Sequence, residues 1–186
     1  MMGFAQLKYA IISEKDYLQG EEFSGIRHEY IDGQVYAMAG ASDKHNLISS
    51  NANTFSNINL PDHCQVFVAD MKVRLQLQRK VIFYYPDVVV SCAADDRAQY
   101  FRAKPCLIIE VLSRATERRD RGEKFWNYQR IASLQEYLLL AQEVKEATLF
   151  RRATNWQPET YREGMIHLAS VGLEVPLDAL YRRVQL

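Results

Sequence analysis

Two carboxylates sit where carboxylates are expensive. Glu110 interrupts the apolar run Cys106-Leu107-Ile108-Ile109-Glu110-Val111-Leu112, and Asp87 stands between Tyr85-Pro86 and Val88-Val89-Val90. Both runs read as central strands covered on two faces. A buried charge needs a partner, either an ion pair with Lys or Arg, a hydrogen-bond network or a metal ion. If the two strands are neighbours, the acids approach one another and repel unless one is protonated or a cation lies between them. Oxygen-only ligands favour Mg²⁺, Mn²⁺ or Ca²⁺ over zinc.

Three further side chains fit the same chemistry. Lys124 lies one turn before Tyr128 on a helical pattern, on or beside the face that is buried. It could point at the two acids or at a substrate phosphate, or pair with Asp120 four residues earlier on an exposed flank. Glu29 and His45 could add a ligand or a base; alone, a histidine at a helix start is more often structural.

These residues need a scaffold. Ser13 to Gln19 reads as a short helix with Ser13 as N-cap. Arg27–Ile31 and Gln34–Met38 flank Asp32-Gly33, a strong hairpin signal. Ser42 or Asp43 caps an amphipathic helix over His45–Asn59, whose polar face is rich in Asn and Ser. Two long strands are expected over Gln65–Gln78 and Val81–Ser91, with Pro86 marking an irregularity beside Asp87. The Glu110 strand follows a polar loop, with Cys106, Ile108 and Leu112 on one face and Leu107, Ile109 and Val111 on the other. Asp120 heads a helix with Glu123 as a capping-box partner and Phe125, Tyr128, Ile131 and Ala132 facing inward. Strands are expected over Glu136–Ala141, Ala147–Arg152 and Ile166–Ala169, and an amphipathic segment over Leu177–Val184. The order implies a mixed α/β (α+β) fold, a central mixed β-sheet flanked by helices, in a single domain over 1–186.

Composition excludes some classes. Lys plus Arg equals Asp plus Glu, 23 each, so the chain is not a generally basic coat for nucleic acid. No apolar stretch approaches the roughly 20 residues that span a bilayer, and residues 1–10 lack signal-peptide features. Cys64, Cys92 and Cys106 are scattered and match no zinc spacing, which suggests reduced, core-packed thiols and a cytoplasmic location. Locally, residues 114–130 hold six basic side chains (Arg114, Arg118, Arg119, Arg121, Lys124, Arg130) against three acidic. That is the best phosphate-binding candidate, although Glu117 and Arg121 also suit a solvated ion pair.

Tyr85-Pro86-Asp87, Ile109-Glu110-Val111-Leu112-Ser113 and the stretch from Asp120 through Lys124 to Tyr128 resemble the PD-(D/E)XK nuclease superfamily. More narrowly they resemble a bacterial branch of restriction-endonuclease-like proteins abundant in cyanobacteria. The resemblance runs from about Tyr17 to Trp156 and includes Glu29, Asp32-Gly33 and His45. It implies a restriction-endonuclease-like core and an endonuclease that hydrolyses DNA phosphodiester bonds with Mg²⁺, or Mn²⁺ in its place. Asp87, Glu110 and Lys124 would be catalytic, and Asp87, Glu110 and Glu29 would hold metal. His45, Ser113, Asp120 and Tyr128 would support them, Tyr128 by orienting Lys124. Arg114, Arg118, Arg119 and Arg121 would meet DNA, and a homodimer is expected for cutting both strands. Leu112 stands where the family's Glu-x-Lys pattern has lysine, and Lys124 is the matching helix position in related branches. Arg114 stands where relatives usually have proline. The alternative is an inactive nuclease-fold module that binds nucleic acid or a protein.

Overall fold

The computed structural model describes residues 11–186. Residues 1–10, the stretch without signal-peptide features, lie outside it. Helix α1 (Glu14–Phe23) starts at Ser13, whose Oγ accepts from Asp16 N, and runs past the expected end at Gln19. Strands β1 (His28–Ile31) and β2 (Gln34–Ala37) form the expected hairpin. Asp32 and Gly33 both take positive φ, 49° and 94°, as a tight primed turn requires. Helix α2 (Asp43–Asn59) is capped by Ser42, whose Oγ accepts from His45 N.

The two long strands expected next are four. β3 (Gln65–Val68) and β6 (Val88–Ser91) pair in one sheet, while β4 (Lys72–Leu77) and β5 (Lys80–Tyr84) pair in another. Both chains therefore bend together, at residues 69–71 and at 85–87. Ala69 turns with φ 56°, and its N–H bonds Asp87 O. Pro86, which has no N–H to give a ladder, marks the other bend. After β7 (Phe101–Arg102) comes β8 (Leu107–Leu112), the strand of Glu110.

A continuous helical run over residues 117–128, α3, follows. It is α-helical over Glu117–Arg119, π-helical over Asp120–Lys124 and α-helical over Phe125–Tyr128. Asp120 thus lies inside the run instead of capping it, and Glu123 accepts a hydrogen bond from Tyr84 OH instead of closing a box. Ile131 is buried beyond the helix end, and Ala132 is exposed. The remainder is β9 (Glu136–Ala141), β10 (Ala147–Arg151), β11 (Pro158–Tyr161), β12 (Met165–Leu168), β13 (Leu173–Pro176) and α4 (Leu177–Leu180).

The strands order as β2-β1-β5-β4-β7 and β11-β10-β9-β8-β6-β3, with β12-β13 a separate pair. β8 runs parallel to β9 and antiparallel to β6, so the larger sheet is mixed. Its faces divide as their alternation requires. Leu107, Ile109 and Val111 pack with Ile48 and Ala52 of α2, while Ile108 and Leu112 pack with Tyr84, Tyr128 and Tyr137. Cys106 precedes the strand and packs on the α2 side, not with Ile108 as its spacing suggested. The expectation of three reduced thiols is also corrected: Cys64 and Cys92 are joined in a disulfide, and Cys106 is free. Gln65 pairs with Ser91 across β3 and β6, which makes Cys64 and Cys92 the next cross-strand neighbours. Among the described residues, no helix is long and apolar enough to cross a membrane.

Candidate active site

The register that pairs Val88 with Ile109 places Asp87, at the bend before β6, beside Glu110 of β8. Val111 N donates to Asp87 Oδ2 at 2.7 Å, and Asp87 N reaches Glu110 Oε2 at 3.4 Å. His45 extends from the first turn of α2 to put Nε2 3.2 Å from Asp87 Oδ2. Ser42 starts that helix beside the site, which is why His45 points there.

Lys124 stands on the other side of Glu110. Its Nζ is 3.1 Å from Glu110 Oε1, 3.2 Å from Glu29 Oε1 and 3.3 Å from Asp120 Oδ1. The π-helical turn brings Asp120 and Lys124 to this inward face; such turns often occur at functional sites. Asp120 Oδ1 is buried, and Lys124 Nζ is its ion-pair partner among the described residues. Arg119 donates to the other oxygen of Glu29 at 2.7 Å. Tyr128 OH donates to Glu110 Oε1 at 3.2 Å, the same oxygen that Lys124 Nζ meets.

Burial sets the electrostatics. Glu29, Glu110, Asp120 and Lys124 are each at most 5 % exposed. Burial pushes the Glu110 carboxyl well up; Lys124 pulls it back, and Asp120 and Asp87 add to the rise. Burial likewise raises Asp120 against the pull of Lys124. Lys124 loses hydration, yet Glu110, Glu29 and Asp120 outweigh that loss and hold it protonated far above neutrality. His45 is raised too: its burial is outweighed by the hydrogen bond and charge of Asp87.

The acids form the floor of a cleft of about 680 Å³. Its walls are the Ala37–Ala41 loop after the hairpin, the Asn46, Ser50 and Asn53 face of α2, and the Ser113–Arg119 turn. A smaller hollow of about 350 Å³ by Leu75 and Ile131 is lined by no carboxylate.

The donor set suits a hard cation. Asp87 and Glu110 offer oxygens side by side, and Mg²⁺ is commonly held by one or two carboxylates with water completing its shell. Both oxygens of Glu29 are engaged by cations, Lys124 on one and Arg119 on the other.

The expected residues Asp87, Glu110, Lys124, Glu29, His45, Asp120 and Tyr128 therefore meet. Ser113 lines the cleft and caps the turn into α3, its Oγ accepting from Thr116 N at 3.1 Å. The four arginines separate. Arg119 turns inward to Glu29, Arg121 pairs with Glu117 at 2.8 Å, and Arg114 and Arg118 are exposed and make no ion pair among the described residues. Sequence reasoning noted the Asn- and Ser-rich face of α2 without assigning it a place; it is a wall of the cleft. Tyr137, whose OH bonds Asp120 O at 3.0 Å, gave no signal beyond its apolar strand.

The profile of the Uma2 family, described as "Putative restriction endonuclease", matches residues 14–178. The chain belongs to the Uma2 family. Two relatives from Synechocystis sp. (strain ATCC 27184 / PCC 6803 / Kazusa) are similar along much of the Uma2 chain. "Uncharacterized protein slr1290" is 38% identical over 176 residues, 92% of either chain. "Uncharacterized protein sll1609" is 36% identical over 136 residues, 71% of this chain and 76% of its own. Among solved structures, a "putative nuclease belonging to DUF820" from Anabaena variabilis ATCC 29413 superposes with a TM-score of 0.70 at 15% identity, covering 87% of this chain and 93% of its own. At that identity the match concerns the fold, and it is the restriction-endonuclease-like, mixed α/β fold expected of this Uma2 sequence.

Proposed function

We propose that this protein is a metal-dependent endonuclease that hydrolyses DNA phosphodiester bonds. The observation that carries the reading is the pairing of Asp87 with Glu110 on the cleft floor, with Lys124 Nζ 3.1 Å from Glu110. Asp87 and Glu110 would hold Mg²⁺, or Mn²⁺ in its place. Bound there, the ion supplies Lewis acidity to a phosphoryl oxygen and a lowered pKa to a water.

The chain's own residues do the rest. Val111 N–H and His45 fix the orientation of Asp87. Lys124 stays protonated, so its part is a fixed positive charge toward the phosphate and not proton abstraction. Glu29 serves as the clamp for Lys124 and Arg119 in this reading, outside the metal's direct shell. Arg114 and Arg118, which lie on the turn that walls the cleft and make no ion pair among the described residues, would meet flanking phosphates. Two-strand cleavage calls for a homodimer.

A second reading is favoured by one observation. Lys124 already has three carboxylate neighbours, a closed ion-pair network that an inactive nucleic-acid-binding module would keep. Mn²⁺ titration of the metal-free chain by calorimetry separates the two. The nuclease reading expects binding that Asp87→Asn weakens at least tenfold; no binding to the wild type supports the inactive module.

A further inference from the structure

Three cysteines that lie far apart in the sequence come together at one corner of the larger sheet. Cys64 leads into β3, Cys92 leaves β6 and Cys106 leads into β8. β6 pairs with β3 on one side and with β8 on the other, so Cys92 has a sulfur neighbour on each flank. His63 precedes Cys64 at the surface. The ligand atoms of His63, Cys64 and Cys92 all lie within 4.8 Å of one another. Cys106 Sγ is 3.6 Å from Cys92 Sγ. This is the one such convergence of three His, Cys, Asp or Glu side chains among the described residues.

We propose that the reduced chain carries a site for one thiophilic divalent ion, zinc by its chemistry, with His63, Cys64 and Cys92 as ligands and Cys106 as the fourth. Three sulfurs and one imidazole nitrogen are a standard structural zinc set, and Zn–S bonds of about 2.3 Å in a tetrahedron space sulfurs about 3.8 Å apart. The Cys92–Cys106 separation is already near that value. Cys64, Cys92 and Cys106 are half-buried and His63 is exposed, so an ion has a path in. A relay of thiols alone would give His63 no part.

The Cys64–Cys92 disulfide is the oxidised alternative for the same sulfurs. Its formation from two thiolates passes two electrons to an oxidant of the peroxide class, which with two protons becomes water. The ion then leaves, because a disulfide sulfur is a poor ligand. The corner lies at the end of β6 and β8 away from Asp87 and Glu110, about 13 Å along β8 at 3.3 Å per residue. The two sites are therefore separate, and loss of one leaves the other in place.

Co²⁺ titration of the full chain, reduced and kept anaerobic, tests it. Expected are one ion per chain with thiolate-to-cobalt charge transfer and tetrahedral d–d bands, displaced by Zn²⁺. Cys106→Ser should remove about a third of the charge-transfer intensity, and peroxide treatment should abolish it. Co²⁺ on Asp87 and Glu110 gives no thiolate band, so the two sites are told apart. Absence of charge transfer in the reduced chain, folded by circular dichroism, would overturn the proposal. So would full intensity in Cys106→Ser, or bands that survive oxidation.

Discussion

Lys124 Nζ and Glu110 Oε1 are 3.1 Å apart, joined from a helix and a strand across 14 positions of sequence. The PD-(D/E)XK pattern that the sequence resembles puts a lysine two residues after the acid; here that residue is Leu112, 4 % exposed and packed in the apolar cluster. A lysine on α3 reaches the neighbourhood that a lysine on β8 would have served.

Lys124→Met tests how much the site's charge balance depends on this ammonium. Glu29, Glu110 and Asp120 would be left buried without it. Removing one partner of a buried ion pair typically costs about 3–5 kcal/mol, and urea denaturation should show a loss of that order. A loss under about 1 kcal/mol would mean that the acids take up protons instead of paying for their burial.

The basic stretch should act through its unpaired members. Arg114→Ala and Arg118→Ala should each weaken oligonucleotide binding and lower the salt slope by about one. Arg121→Ala should change both much less, because Glu117 already holds Arg121. Fluorescence anisotropy across a salt series reads all three, and equal effects would contradict the assignment.

Lys72 gives a pH prediction. It is buried, with Nζ 5.0 Å over the Tyr85 ring, and makes no ion pair among the described residues. Burial lowers its pKa below 10.5, against the opposing pull of Glu21 and Glu22. Between the lowered folded value and 10.5, the unfolded chain binds more protons, so this group makes stability rise with pH in that window. Lys72→Met should remove this contribution. Unfolding free energies of wild type and variant, compared across the alkaline range, should converge as pH rises; a constant difference would refute the assignment.

Two glycines should respond in opposite directions. Gly33 has φ 94°, and a Cβ there would stand 2.5 Å from Ile11 Cγ2. Gly33→Ala should cost about 1 kcal/mol or more in thermal unfolding. Gly122, inside α3, has open space where a Cβ would go, so Gly122→Ala should stabilise by about 0.5–1 kcal/mol. A loss at Gly122 would show that the π-helical turn depends on glycine.

Asp87 and Glu110 were legible because a charge inside an apolar strand has few explanations. Asp32-Gly33 and Ser42 were legible because turns and caps are written in neighbouring residues. The bend at Ala69 was not, since neither glycine nor proline marks it and the pairing with β6 imposes it. The inward turn of Arg119 depends on Glu29, brought alongside α3 by the distant hairpin, which spacing within the helix does not encode. The meeting of Cys64 with Cys92 depends on strand register between distant segments. Sequence spacing alone treated those cysteines as separate.

The most direct test of the nuclease account is supercoiled plasmid incubated with wild type or Glu110→Gln, in Mg²⁺, Mn²⁺ or EDTA. The account predicts nicking by the wild type in metal, none in EDTA, and at least a hundredfold less with Glu110→Gln at unchanged fold. Equal nicking by both proteins, or nicking that persists in EDTA, would contradict it.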